Sequence, residues 1–246
     1  MGEITSISWT EHTFNCWWGC TKVSPGCDNC YAEAFDKRVG GAHWGKGVPR
    51  RTFGEKHWSE PLKWNRDAEK EGRFHRVFCA SMADVMDDEA PAGERERLWK
   101  LIDATPWLIW QLLTKRPHRY DRYLPEKFLH DNVWLGTTAE NQEQYNIRWP
   151  ILARVRIEAI TWISYEPALG PLTLLDYPVW PRWIIFGGES GAHRREAEAE
   201  WCRNLRHEIN EYMPWCKLFV KQMSARTPNQ GKLLIPSDLQ IQEFPA

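Results

Sequence analysis

Four of the chain's seven cysteines lie within fifteen residues, in the stretch NCWWGCTKVSPGCDNCYAEA at residues 15–34. Their spacing is Cys16-x3-Cys20-x6-Cys27-x2-Cys30. Thiols this dense in one loop form disulfides, hold a zinc ion or hold an iron–sulfur cluster. Four cysteines would complete a zinc tetrahedron or fill every iron position of a cluster, whereas three would leave one iron open to another molecule. The number of ligands therefore decides whether this loop is structural or chemical.

The expected compartment separates these alternatives. No apolar run approaches the roughly 18–20 residues that span a bilayer. The first residues, MGEITSISWTEH, lack the charged start and the apolar segment of a secretory signal. We therefore expect a cytoplasmic protein without membrane association. Thiols stay reduced in that compartment, so disulfides are the least favoured use of the cysteines.

Short apolar runs alternate with amphipathic stretches along the rest of the chain. Predicted strands lie within residues 4–9, 76–85, 106–117, 132–141, 159–167, 182–191 and 216–222, and predicted helices within 92–105, 142–155 and 196–213. Residues 167–181 are expected to be an irregular crossover. About seven strands alternating with helices predict an α/β fold with parallel strands, a full or partial (β/α) barrel of the TIM type.

We expect this barrel to be a single domain over residues 1–246, with the cysteine loop at 15–34 and a C-terminal tail at 223–246. A doubly wound open sheet is the alternative architecture. It gains little support, because no glycine-rich phosphate loop follows an early strand.

Each apolar run stops at polar or charged residues. Because the carboxyl ends of parallel strands carry the site in barrels and doubly wound sheets alike, we expect these residues to converge at one mouth. A carboxylate there can bind a cofactor, act as a general base or ligate a metal. The simpler interpretation is that each acid is solvated or paired with a cation. The residues concerned include Asp84, Glu140, Asn141, Glu166, Glu189 and Lys221.

Basic residues occur in three segments, VPRRTF, TKRPHR and AHRRE, at residues 48–53, 114–119 and 192–196. Together with nearby aromatic residues they are typical of surfaces that grip phosphate and stack bases. The alternative is an ordinary solvated surface, because acids accompany them. The net charge is −1, so any contact with nucleic acid depends on such local patches.

The cysteine loop resembles the cluster loop of radical SAM enzymes, most closely those related to spore photoproduct lyase. The residues that match this pattern are Asn15, Trp17, Gly19, Cys20, Cys27, Cys30, Tyr31 and Ala32. Cys16 stands where the pattern often has proline. The segments SMADVMDDEAP, LTKRP, NVWLGTTAENQ, SYEPALGPL, GGESG and FVKQ resemble, in this order, an uncharacterised phage and prophage family with the same three-cysteine motif.

The resemblance implies that Cys20, Cys27 and Cys30 hold three irons of a [4Fe–4S] cluster, and that the fourth iron takes the amino and carboxylate groups of S-adenosylmethionine (SAM). One electron would then cleave a C–S bond of SAM to a 5′-deoxyadenosyl radical that abstracts hydrogen from the substrate. An electron donor protein is the implied partner, and a nucleotide or nucleic acid is the expected substrate.

Site residues follow from the same resemblance and from the strand ends. The residues expected to bind SAM are Ser81, Asp84, Glu140, Asn141 and Glu189. The residues expected to take part in catalysis are Glu166, Glu189 and Lys221.

Two features depart from the usual pattern. Radical SAM enzymes mostly have three residues between the first two cysteines, and this loop has six. The GGE that often follows the second strand stands here near the sixth, so either Ser81 and Asp84 serve the SAM amino group or SAM is not bound in the usual way. The alternative function is a non-enzymatic protein that binds nucleic acid or a partner, with an iron–sulfur or zinc site that only holds the loop. A carboxylate-metal hydrolase is a third, less favoured interpretation.

Overall fold

A computed structural model of the chain describes residues 5–125, 132–155 and 160–245. The chain forms two compact units. The first comprises Met1–Lys22 and Ala32–Leu135, and the second comprises Val23–Tyr31 and Gly136–Ala246. Within the described ranges, no helix has both the length and the apolar character needed to cross a membrane.

The described part of the chain contains seven strands, whose order in the sheet follows the sequence. They are β1 (His12–Thr13), β2 (His75–Cys79), β3 (Leu108–Thr114), β4 (Val133–Thr138), β5 (Thr161–Tyr165), β6 (Trp183–Gly187) and β7 (Lys217–Gln222). The same ranges contain the helices α1 (Tyr31–Arg38), α2 (Glu55–Trp58), α3 (Glu60–Glu71), α4 (Glu94–Asp103), α5 (Tyr120–Tyr123), α6 (Gln142–Val155), α7 (Ala199–Tyr212) and α8 (Pro228–Leu233).

In the first unit, β1 pairs with β2 and β2 with β3, all in parallel. Val77 lies in register with Trp110, so their side chains share one face of the sheet. The Trp110 ring meets the Phe14 ring edge-on at 5.8 Å, and its Nε1 donates to Oγ1 of Thr105 at 3.0 Å. Burying an indole while satisfying its single donor stabilises the packing of β3 on the segment that follows α4.

In the second unit, β5 pairs with β6 and β6 with β7, again in parallel. All residues of β5 and β6 are buried, as expected for parallel strands covered on both faces. Trp162 and Trp183 lie in register, with ring centroids 5.7 Å apart. The Nε1 of Trp183 donates to the carbonyl of Glu243 at 2.9 Å, and Val220 N donates to Ile241 O at 2.9 Å. The predicted C-terminal tail is therefore packed against the strands, and it contains α8.

The predicted helices within 92–105, 142–155 and 196–213 are confirmed as α4, α6 and α7, and residues 167–181 form no helix. The prediction of a first strand at 4–9 is wrong over its described residues, 5–9, while Ile4 lies outside them. The first strand is β1, only two residues long, and so short a strand leaves no alternating pattern to detect. The single-domain assignment stays a prediction.

Candidate functional site

Cys20, in the first unit, is contacted at its sulfur by an arginine. The Nη1 of Arg116 lies 3.7 Å from Sγ of Cys20, and its Nη2 donates to the carbonyl of Thr21 at 2.7 Å. Burial and the Asp84 carboxylate raise the pKa of Cys20 to about 12, although Arg116 acts in the opposite direction. The free thiol is therefore protonated at neutral pH, and a metal ion would have to displace its proton on binding.

Asp84 holds that arginine in place. Its Oδ2 accepts from Nη1 of Arg116 at 2.8 Å and from the backbone N of Lys115 at 3.0 Å. Its Oδ1 accepts from Oγ1 of Thr114 at 2.6 Å and from the backbone N of Met86 at 3.0 Å. Burial acts to lower the pKa of Arg116, but Asp84, Cys20 and Asp87 together raise it above its ordinary value. Both Asp84 oxygens are thus engaged within the first unit.

Asn15 joins the cysteine loop to the end of the second strand. Its side chain is buried, its Nδ2 donates to Oγ of Ser81 at 3.1 Å, and its Oδ1 accepts from the backbone N of Met82 at 2.7 Å. The motif asparagine therefore orients the segment that carries Ser81, one of the predicted SAM-binding residues. The motif pointed to Asn15 as important, but the sequence did not indicate this partner.

Cys16 lies in the core, unlike the other three cysteines of the loop. It is fully buried, and its neighbour Cys79 on β2 is also fully buried. Burial raises the pKa of Cys79 well above its ordinary value, and the neighbouring Cys16 raises it further. Thiols in such surroundings behave as small core residues rather than ligands.

In the second unit, Glu140 holds the turn that carries Cys27. Pro25–Cys27 form a single 3-10 turn, and the backbone N of Gly26 donates to Oε1 of Glu140 at 3.1 Å. The Oε2 of Glu140 accepts from Nη1 of Arg148 at 2.7 Å, and the Glu140 side chain is fully buried. A Cβ on residue 26 would stand 3.0 Å from Cδ of Glu140, so glycine permits this close approach.

Glu189 holds the other end of the same segment. Its Oε2 accepts from Nδ2 of Asn29 at 3.0 Å and from the backbone N of Arg195 at 2.8 Å. Its Oε1 accepts from Nη2 of Arg195 at 2.6 Å, and that same Nη2 donates to the carbonyl of Pro25 at 3.0 Å. Burial acts to raise the pKa of Glu189, but the hydrogen bonds from Arg195 and Asn29 outweigh it and lower the pKa. Glu189 and Glu140 together fix the segment on both sides of Cys27.

Glu166 and Lys221, the other two predicted catalytic residues, form an ion pair in the second unit. Glu166 follows β5 and Lys221 lies in β7, so the pair spans the intervening β6. A Cβ on Gly187 in β6 would stand 3.0 Å from Cδ of Glu166, which explains the glycine at this point. Asn141 caps α6, with its Oδ1 accepting from the backbone N of Gln144 at 3.0 Å.

Most of the basic residues predicted to contact nucleic acid are paired with acids. Arg50 bonds to Asp87 and Glu89, Arg119 to Asp88, Arg194 to Glu196 and Arg195 to Glu189. Arg51 is different, because it is exposed and its guanidinium lies 4.5 Å from the ring centroid of Trp18 and 5.3 Å from that of Phe53. The pairing follows the simpler interpretation of these segments, which the acids beside them indicated.

Of the predicted site residues, the first unit brings Cys20 and Asp84 together through Arg116, and the second brings Glu140 and Glu189 to the segment that contains Cys27 and Cys30. The contributions of Arg116, Arg195, Arg148 and Asn29 were missed. Arg116 and Arg195 lie in the basic segments TKRPHR and AHRRE, Asn29 lies in the cysteine loop and Arg148 in a predicted helix, but nothing in the sequence indicates which carboxylate each contacts.

The donor set suits an iron–sulfur cluster. Cys20, Cys27 and Cys30 are free, part-exposed thiols, whereas Cys16 is buried. Within residues 5–125, 132–155 and 160–245, no three His, Cys, Asp or Glu side chains are already grouped as a metal site requires. The assignment of these three ligands therefore stays a prediction from the motif.

Residues 4–233 match the family described as "Protein of unknown function (DUF5131)". The chain belongs to this family. The expected resemblance to an uncharacterised family is thus confirmed, while its phage origin stays a prediction. No curated protein sequence matches the chain significantly.

The fold is similar to that of spore photoproduct lyase. Two single-residue variants of that enzyme match with TM-scores of 0.59 and 0.55, each at 12% identity and covering 89% of this chain and 78% of theirs. Spore photoproduct lyase complexed with dinucleoside spore photoproduct matches with a TM-score of 0.52 at 12% identity, covering 85% of this chain and 64% of the other. The likeness shows the fold, so the predicted α/β fold with parallel strands is confirmed.

Proposed function

We propose that this protein is a radical SAM enzyme whose [4Fe–4S] cluster is held by Cys20, Cys27 and Cys30. The observation that carries the proposal is the three-cysteine motif in a chain with the fold of spore photoproduct lyase. A fold alone does not define a function, and closely spaced thiols alone also suit zinc. The two together favour a cluster with an open iron.

The environment of Cys16 supports three protein ligands rather than four. Cys16 is buried against Cys79, so it is not available to a cofactor that binds the part-exposed thiols. Three thiolates on a four-iron cluster leave one iron for an exogenous ligand, and SAM would supply an amino and a carboxylate group there. When bound, the cluster and SAM supply a one-electron reduction that generates a carbon radical from SAM.

The residues of this chain would position that chemistry. Glu140 and Glu189 hold the segment around Cys27 and Cys30 through Gly26 and Asn29, so their proposed contribution is to place ligands rather than to bind SAM directly. Ser81 and Asn141 are the predicted SAM-binding residues with hydroxyl and amide groups at part-exposed positions. Glu166 and Lys221 are proposed to contact the substrate next to Gly187, where β6 carries no side chain.

A nucleotide or nucleic acid is the proposed substrate class. It is supported by the similarity to an enzyme complexed with a dinucleoside and by Arg51, an exposed guanidinium against two aromatic rings. An electron donor protein of the cytoplasm is the proposed partner, because the cluster must be reduced before each SAM cleavage.

The experiment is anaerobic reconstitution with iron and sulfide, followed by reduction with dithionite and addition of SAM. We expect about four irons per chain and the release of 5′-deoxyadenosine, measured by chromatography. Addition of dinucleotides or DNA should increase the release or transfer label from substrate to 5′-deoxyadenosine.

Two results would contradict the proposal. A colourless protein that retains tightly bound zinc and cleaves no SAM would favour the non-enzymatic binding protein. A cluster that requires Cys16 as a fourth ligand would leave no open iron. Release of 5′-deoxyadenosine that no nucleotide or nucleic acid changes would retain the reaction and reject the substrate class.

A further inference from the structure

Arg116 contacts the sulfur of a predicted cluster ligand. Its Nη1 lies 3.7 Å from Sγ of Cys20, within the range of an N–H···S hydrogen bond. The arginine is only 6% exposed, so water competes little for this contact. Of the contacts described at the Cys20 sulfur, this is the one from a charged side chain.

The guanidinium has little freedom to leave the sulfur. Nη1 also donates to Oδ2 of Asp84 at 2.8 Å, and Nη2 donates to the carbonyl of Thr21 at 2.7 Å. Asp84 in turn accepts from Thr114 and from two backbone N–H groups. A planar guanidinium with fixed partners on both terminal nitrogens is preorganised, unlike a flexible ammonium. The arrangement is a supporting shell built around one ligand atom.

The position of Arg116 also argues against its use as a phosphate anchor. Its segment, TKRPHR, reads as basic surface in the sequence. In the fold both of its terminal nitrogens are taken up by Asp84, Thr21 and Cys20, and the side chain is 7% exposed. A phosphate would have to displace a buried carboxylate to reach it, which is unfavourable.

We propose that Arg116 is a positioning residue that raises the reduction potential of the cluster through its hydrogen bond to Cys20, with Asp84 holding it in place. This inference rests on the proposed function. Reduction adds one electron, taken from dithionite or the donor protein, to a cluster that already carries negative thiolate ligands. A cation and a hydrogen-bond donor at one sulfur stabilise the more negative, reduced state. Asp84 is thereby reassigned from binding SAM to orienting Arg116.

The test is an anaerobic redox titration of reconstituted protein, followed by electron paramagnetic resonance of the reduced cluster. We expect R116Q to decrease the equilibrium constant for one-electron reduction about tenfold, which corresponds to about 59 mV. R116K keeps the charge but cannot reproduce the planar guanidinium, so its reduction potential should fall between those of the wild type and R116Q. R119Q is the matched control, because Arg119 pairs with Asp88 at the surface and should leave the potential unchanged.

The outcomes separate this inference from the proposed function. A wild-type protein that binds no iron–sulfur cluster would reject both. A wild-type protein that cleaves SAM, with R116Q at the wild-type potential and wild-type iron content, would reject the role of Arg116 alone. If R116Q does not retain iron, R116K decides: a lowered potential supports the inference, and a potential equal to that of the wild type overturns it.

Discussion

The two regions that carry the predicted ligands are stabilised in opposite ways. Around Cys20, a cation contacts the sulfur itself, and a carboxylate only orients that cation. Around Cys27 and Cys30, carboxylates contact the chain through Gly26 and Asn29, and arginines support the carboxylates. The first arrangement acts on the charge of a ligand, whereas the second fixes the path of the backbone. Acids that follow strands can therefore order the backbone around predicted ligands through hydrogen bonds to other protein groups.

The largest expected effect tests whether both regions serve one cluster. Cys20→Ala and Cys27→Ala should each lose nearly all iron after reconstitution, because a cluster with two protein ligands is poorly held. Cys16→Ala should retain the wild-type iron content, measured by colorimetric assay and by the visible absorption of the cluster. Cys79→Ala is the matched control for the buried pair. Equal iron loss in Cys16→Ala and Cys27→Ala would refute the three-ligand assignment.

The next effect separates charge from position in the second region. Glu189→Gln removes the negative charge that Arg195 and Asn29 contact. We expect the free energy of unfolding to decrease by about 2 kcal/mol, because hydrogen bonds to charged groups are stronger than those between neutral groups. Urea denaturation measures this change. Glu196→Gln is the control, since Glu196 pairs with Arg194 at the surface and should change stability by less than about 0.5 kcal/mol. Equal effects of the two substitutions would show that the contacts of Glu189 with Arg195 and Asn29 contribute no more to stability than a surface ion pair.

The same carboxylate predicts a pH dependence. The pKa of Glu189 is lowered in the folded state from an ordinary value of 4.5. Its stabilising contribution is therefore present above pH 4.5 and is lost as the pH falls through the lowered value. The difference in unfolding free energy between the wild type and Glu189→Gln should shrink below pH 4.5. A difference that stays constant from pH 7 to pH 3 would contradict this.

A smaller effect tests the close approach at the turn. Gly26→Ala places a Cβ at 3.0 Å from Glu140, so the buried carboxylate or the turn must shift. We expect the free energy of unfolding to decrease by about 1–2 kcal/mol. We also expect the variant to lose more of its iron than the wild type during gel filtration. Gly54→Ala is the matched control, because open space surrounds its Cβ position and its φ is −81°. If the two alanine variants melt at the same temperature, Glu140 does not restrain the turn.

The smallest effect on stability concerns Glu166 and Lys221. A double-mutant cycle with Glu166→Gln and Lys221→Met should give a coupling energy below about 1 kcal/mol, because both side chains are partly solvated. If the pair contacts substrate, each single variant should keep its iron and its uncoupled SAM cleavage while it loses the product formed from substrate. If both variants form product at the wild-type rate, Glu166 and Lys221 do not take part in catalysis.

The sequence predicted the backbone of this fold better than the roles of its side chains. Periodicity located α4, α6 and α7 and the strands from β2 onward, because their apolar faces repeat over several turns or pairs of residues. It missed β1, whose two residues are too few to repeat. The roles of the acids after the strands stay predictions, and the sequence did not indicate their hydrogen-bond partners. Whether Glu189 binds a cofactor or an arginine depends on distances set by tertiary packing, which local pattern does not contain.

The cysteines show the same division. The spacing of the cysteines does not show whether Cys16 is a ligand. The resemblance to the cluster loop only places Cys16 where a proline is common. The packing of Cys16 against Cys79 supplies a physical reason, because a thiol enclosed by the core is removed from the loop's chemistry. The role of Arg116 was hidden for a similar reason: a lysine–arginine pair in sequence is typical of a surface, and one of the two is buried.

The contacts that order the ligand segment are distant along the chain. Asn29 and Glu189 are 160 residues apart, and Gly26 and Glu140 are 114 residues apart. At about 5–20 residues per second, a ribosome needs roughly 8–30 seconds to synthesise the chain between Asn29 and its carboxylate. The nascent segment with Cys27 and Cys30 therefore emerges without the groups that shape it. If the proposed cluster is assembled on this segment, its iron and sulfide bind after translation, when the last of these carboxylates has left the exit tunnel.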